Sequence, residues 1–189
     1  ALGGYALNAN TTASGNVAVG YSSLIANTTG SANVAVGKET LLTVTTGANN
    51  TAVGNQALYT NAASNNTAVG SGALALTSTG SENTALGTSA LAANTTANSN
   101  VGIGFKALFT NTTGAENTAV GDSALRANTT AGTNTAVGFS ALTANTTGSD
   151  NTAVGAQALD ASTTASNSVA VGQAALGAQT TGGLNTAVG

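Results

Sequence analysis

Nine side chains carry charge in this chain of 189 residues: Lys38, Lys106, Arg126, Glu39, Glu82, Glu116, Asp122, Asp150 and Asp160. What they can do is limited by what is missing. Without His there is no side chain that titrates near neutral pH to act as a general base, and the commonest transition-metal ligand is gone. Without Cys there is neither a thiolate ligand nor a disulfide framework. Ser-His-Asp and Cys-His nucleophile systems are therefore impossible within the chain. A catalytic solenoid such as a polysaccharide lyase or acyltransferase has nothing to work with, and no enzyme, cofactor or metal is expected.

Three weaker signals remain. Glu82, Glu116 and Asp150 recur every 34 residues and suggest a calcium stripe. Two rungs at about 4.8 Å each would set these carboxylates about 10 Å apart. Calcium holds its ligands at about 2.3–2.6 Å, so no two of them can share an ion. Gly102-Ile103-Gly104 has the look of a dinucleotide loop but lacks the βαβ setting that such a loop needs. Asn-Thr-Thr at Asn10, Asn27, Asn94, Asn111, Asn128 and Asn145 fits the N-glycosylation pattern, and turn chemistry accounts for it equally well.

The elements that carry these residues follow one short period. Ala-Val-Gly or a close variant ends at Gly3, Gly20, Gly37, Gly54, Gly70, Gly87, Gly104, Gly121, Gly138, Gly155, Gly172 and Gly189, at intervals of 17 residues except for 16 between Gly54 and Gly70. A fixed short period through a whole chain is the signature of a solenoid, in which no turn can bury its apolar side alone. Recurrent Gly and Asn-Thr-Thr clusters rule out helix, while short β-branched stretches between them read as strands and turns. The fold expected is all-β: a parallel β-solenoid, either a left-handed β-roll or a narrow β-helix, with about 17 residues per turn and 11 turns. Residues 1–189 form a single segment. Both ends fall inside a repeat and read as cuts through a longer array.

Columns of equivalent residues give the expected interior. Val, Leu or Ile precedes every one of these glycines, and Leu follows four residues after each of the first eleven. The core is read as Val19, Val36, Val53, Val69, Val120, Val137, Val154 and Val171 together with Leu24, Leu41, Leu58, Leu74, Leu91, Leu108, Leu125, Leu142, Leu159 and Leu176. Strand alternation turns the residue before each Val the other way. It is always small: Ala18, Ala35, Ala52, Ala68, Ala85, Ala119, Ala136, Ala153 and Ala170. An outward column kept that small implies close approach of another chain, so these alanines are expected to pack between chains. Asn16, Asn33, Asn50, Asn66, Asn83, Asn100, Asn117, Asn134 and Asn151 form a further column, expected to stack as an amide ladder.

Other features bear on partners. The net charge of −3 is small and scattered, which excludes a nucleic-acid footprint. No apolar run approaches the roughly 20 residues that span a bilayer, so no membrane insertion by this segment is expected. The six aromatics, Tyr5, Tyr21, Tyr59, Phe105, Phe109 and Phe139, share the variable slots with the charges and lie outside the core columns.

Asn167-Ser-Val-Ala-Val-Gly172 with Gln173-Ala174-Ala175 closely resembles the Asn-Ser-Val-Ala-Ile-Gly-x-x-Ala motif of YadA-like head domains in trimeric autotransporter adhesins. Similar arrays occur in trimeric tail fibres of phages and other viruses. The resemblance runs the length of the chain, although that family's repeat is nearer fourteen residues. It implies a left-handed parallel β-roll, a homotrimer, a place on the cell surface or on a virion fibre, and an adhesive role towards a host-surface or matrix receptor. The alternatives are a viral or phage tail-fibre shaft and an ice-binding solenoid using the Thr columns.

Overall fold

A computed structural model describes all 189 residues. Eleven strands of three residues each follow one another: β1 (Val17–Val19), β2 (Val34–Val36), β3 (Thr51–Val53), β4 (Thr67–Val69), β5 (Thr84–Leu86), β6 (Val101–Ile103), β7 (Thr118–Val120), β8 (Thr135–Val137), β9 (Thr152–Val154), β10 (Val169–Val171) and β11 (Thr186–Val188). They form one parallel sheet in sequence order. Each strand pairs with its equivalent one repeat away, as Ala119 does with Ala136. At about 4.8 Å per rung, the ten turns between β1 and β11 make a rod about 48 Å long.

The shortened repeat keeps this register, with Ala52 opposite Ala68. The missing residue lies in the Asn-Thr-Thr turn, where Ala62 and Ala63 stand in place of Thr-Thr-Gly. Ala63 O still accepts from Asn50 Nδ2 and Asn61 Nδ2 at 2.8 and 2.9 Å. The inward bonds are conserved and the turn is simply tighter.

Each turn points six side chains inward. In the turn beginning at Asn117 they are Asn117, Ala119, Ala124, Leu125, Asn128 and Ala131, all buried. Only one of the six is large. The stacked leucines and two alanine columns make a single core running along the axis. Leu24, Leu41, Leu58, Leu74, Leu91, Leu108, Leu125, Leu142 and Leu159 are fully buried, and Leu176 packs against the core partly covered.

The Val and Ala columns are the reverse of what the sequence suggested. Val19, Val36, Val53, Val69 and Val120 lie half-exposed on the outside, and Val137, Val154 and Val171 are exposed. Ala18, Ala35, Ala52, Ala68, Ala85, Ala119, Ala136, Ala153 and Ala170 are buried within their own chain, so they do not pack between chains. Alternation had set the two columns on opposite faces, but it did not say which face was inside. The interior decides that. A Cβ placed at Gly102, in the Ala column, would lie 3.2 Å from Leu91 Cγ and Cδ1. The alanines stay small because the leucines of their own coil fill the space in front of them.

The backbone is bent by left-handed residues. Gly121 has φ +138°, and a Cβ there would sit 2.4 Å from Gly138 O. No other residue fits a position where backbone stacks on backbone. Less expectedly, every Leu of the core column is also left-handed, with φ of 49–52°. That conformation costs about 1–2 kcal/mol per residue for an L-amino acid. It persists because the surroundings over-determine it: Leu108 N–H donates to Ala124 O at 3.0 Å, Leu108 O accepts from Asn111 N–H, and the side chain is enclosed.

Truncation of the core column should therefore be costly. We expect Leu108→Ala to lose about 2–5 kcal/mol and Thr130→Ala, on the exposed turn, to stay within about 0.5 kcal/mol. Chemical denaturation followed by circular dichroism checks this, and equal midpoints for the two variants would contradict the assignment of the core.

Candidate functional site

The outward face of the sheet is made of two columns with no charged side chain. One holds Val or Thr, from Val17 and Val34 through Thr118, Thr135 and Thr152 to Val169 and Thr186; the other is the Val19–Val188 column of Val, Leu and Ile. The exposed members include Leu86 at 46% and Val17 at 47%, and Val188 on the last rung at 79%. A stripe of aliphatic side chains and threonine methyls thus runs the full length of the rod. Contiguous apolar surface of this kind marks a contact site more often than scattered surface variation does.

Behind that face the turns are locked by amides. Each Asn before a strand receives the next turn's backbone on its Oδ1, as Asn117 Oδ1 does from Asn134 N–H at 3.0 Å, while Asn117 Nδ2 donates to Ala131 O at 2.9 Å. From Asn66 onward the amides also bond one another, Asn134 Nδ2 donating to Asn117 Oδ1 at 3.2 Å. All members from Asn33 to Asn151 are buried.

A second ladder escaped the sequence reading. The Asn of each Asn-Thr-Thr turn points inward, and Asn111, Asn128 and Asn145 each donate from Nδ2 to Oδ1 of the Asn one turn back, at 3.0, 2.8 and 3.0 Å. Asn27, Asn94, Asn111, Asn128 and Asn145 are fully buried, which closes them to glycosylation in the folded chain. The signal was present, since this Asn lies three residues after seven of the eleven core Leu. It was hidden by the preference of Asn for turns. Where Val44, Thr77 and Ser162 interrupt the column, its hydrogen bonds stop. The four buried polar side-chain atoms left without a partner are Asn27 Oδ1, Thr77 Oγ1, Asn145 Oδ1 and Ser162 Oγ, all at these breaks.

The threonine pairs divide their roles. The first hydroxyl of a pair is used internally: Thr112 Oγ1 donates to Thr129 O and Thr129 Oγ1 to Thr146 O, both at 3.0 Å. The second Thr, as at Thr113, Thr130 and Thr147, is exposed. One free hydroxyl column is left on this turn, not the broad hydroxyl array that an ice-binding face would use.

Charges remain on the outside. Lys38 Nζ and Glu39 form the one ion pair, at 3.5 Å. The Glu39 carboxyl is held below its ordinary range chiefly by the hydrogen bond from Gln56 Nε2 at 2.8 Å, with Lys38 adding to the effect. Glu82, Glu116 and Asp150 alternate along their edge with hydroxyl residues, and Thr133 Oγ1 donates to Asp150 Oδ1 at 2.6 Å. No three acidic side chains come together as a metal site would require. The surface has no cavity.

Fold and surface together define a parallel β-solenoid whose candidate site is an open face, not a cleft. Comparison with protein-family models, curated proteins and solved structures gives no match to this chain.

The broken ladder can be repaired or damaged. Ser162→Asn should offer Nδ2 to Asn145 Oδ1 and raise stability by about 1 kcal/mol, the usual net value of such a bond. Asn128→Ala should lower stability by about 1–3 kcal/mol, because it strands Asn111 Oδ1. Denaturant midpoints measured on the two variants check the pair. A destabilised Ser162→Asn beside an unaffected Asn128→Ala would show that the ladder contributes nothing.

Proposed function

We propose that this chain is a non-enzymatic structural and adhesive segment of an extracellular homotrimeric fibre, its copies meeting along the outer face of the sheet. The observation that carries the reading is the uninterrupted aliphatic stripe, one Val, Leu or Ile per rung on all eleven strands. A free-standing coil would leave this stripe in water, at about 25 cal/mol for each Å² of apolar surface left uncovered. A second copy offers the same rung spacing and the same side chains, so stripe can pack on stripe in register. The number three and the location outside the cell rest on the resemblance of the repeat to YadA-like heads.

The reading also fits what the rod lacks. Its interior is filled, its turns are fixed by backbone and amide bonds, and its charged and aromatic side chains are all on the surface. Such a body transmits position and displays a surface. The Val column takes over the inter-chain role that the sequence had suggested for the Ala column.

Light scattering of the purified chain is expected to give three times the 17.8 kDa chain mass. Val120→Asp combined with Val137→Asp should give a monomer whose β-type circular dichroism is unchanged, because both residues lie outside the core. A wild-type chain that stays monomeric at tens of micromolar, or a double variant that stays trimeric, would refute the interface.

A further inference from the structure

The chain has six aromatic and three cationic side chains, yet all three Phe and two of the three cations fall between Phe105 and Phe139. The solenoid gathers them on one side. Phe105 and Phe139 each follow a repeat glycine and stand in one column, two turns or about 10 Å apart, with Asp122 on the rung between. Phe109 and Arg126 each follow a core Leu on successive turns. Lys106 Nζ lies 5.0 Å from the Phe105 ring centre and 5.4 Å from that of Phe109, which places the ammonium between two ring faces.

Two facts set this patch apart from ordinary surface variation. Phe105 is 48% and Phe139 56% exposed, at a slot that in earlier turns carries one other aromatic, Tyr21, beside Gly4, Lys38, Asn55, Ser71 and Thr88. Neither Lys106 nor Arg126 has a carboxylate within ion-pairing distance, although acids outnumber bases in the chain by six to three. The patch therefore offers aromatic faces and unneutralised positive charge together, on an open surface without a cavity.

We propose that Phe105, Lys106, Phe109, Asp122, Arg126 and Phe139 form a binding strip for a linear acidic glycan, a polysaccharide bearing uronate groups. The electron-rich ring faces match the C–H faces of pyranose rings. The two-turn separation of Phe105 and Phe139 is comparable with the span of two linked sugars. Lys106 and Arg126 answer the carboxylates, and Asp122 can accept from a hydroxyl between the stacked rings. A row of contacts along the rod suits an extended polymer and not a compact molecule. Nucleic acid fits less well, because affinity for it comes from neutralising many phosphates and only two cations are at hand.

The inference rests on the adhesive half of the fibre reading and is independent of the trimer. Binding of polygalacturonate to the purified chain, followed by interferometry at low and at moderate salt, tests it. Phe105→Ala with Phe139→Ala is expected to weaken binding at least tenfold, and Phe105→Tyr with Phe139→Tyr to retain it. Lys106→Ala with Arg126→Ala should weaken binding to a similar degree and remove its salt dependence. Tyr5→Ala with Tyr21→Ala, an edge-to-face pair far along the rod, should change nothing. The strip is overturned if the natively folded chain does not bind polygalacturonate, if both double alanine variants at the patch bind normally, or if dextran or oligothymidylate binds equally well. Mass measured on the same samples separates the two claims. A trimer that ignores the polymer overturns the strip alone, and a monomer that binds it overturns the assembly alone.

Discussion

Except where Val44 joins Leu41, the interior of this coil holds one large aliphatic side chain per turn, and the rest of the structure follows from that limit. The leucine of each turn stacks on the leucines above and below, and every other inward position must be small or must bond to the backbone. Alanine and glycine satisfy the first condition and asparagine the second. The largest remaining aliphatic column, the one before each glycine, has nowhere to go but outward. A single volume constraint thus makes the core narrow and at the same time places an apolar stripe on the surface.

A core so thin leaves much of the stability to polar bonds that repeat from turn to turn. The two Asn columns join successive turns from inside, where competition from water is absent and each bond counts for more. Unpaired atoms are confined to the rungs at or next to those where Val44, Thr77 and Ser162 break one column. The left-handed leucines belong to the same arrangement. Their strain is tolerated because both backbone groups and the side chain of each are held by neighbouring turns, so that no turn could keep this shape in isolation.

Much of this could be read from residue spacing. The period, the parallel coil and the buried Leu column follow from seventeen-residue recurrences, which any solenoid must show. Alternation also separated Val120 from Ala119 correctly. It could not orient them, because parity is blind to which side of a strand is inside, and the size of Val argued for the wrong side. Asn128 was hidden for another reason: in sequence a turn Asn and a ladder Asn look alike. Nor does any residue type announce a left-handed Leu, since leucine normally avoids that region. The patch around Phe105 and Lys106 was visible only as residues at variable slots, and the coil had to be wound before they came together.

Inward Ala and outward Val are the centre of this account, and the absence of native Cys allows a direct measurement. Thiol-labelling rates of Ala119→Cys and Val120→Cys, taken across a range of protein concentrations, report which side each residue faces. The account predicts that Ala119→Cys reacts only when the chain unfolds, at any concentration, and that Val120→Cys is protected in the proposed assembly and becomes reactive on dilution. Ready labelling of Ala119→Cys in the folded chain, with Val120→Cys protected at every concentration, would contradict it.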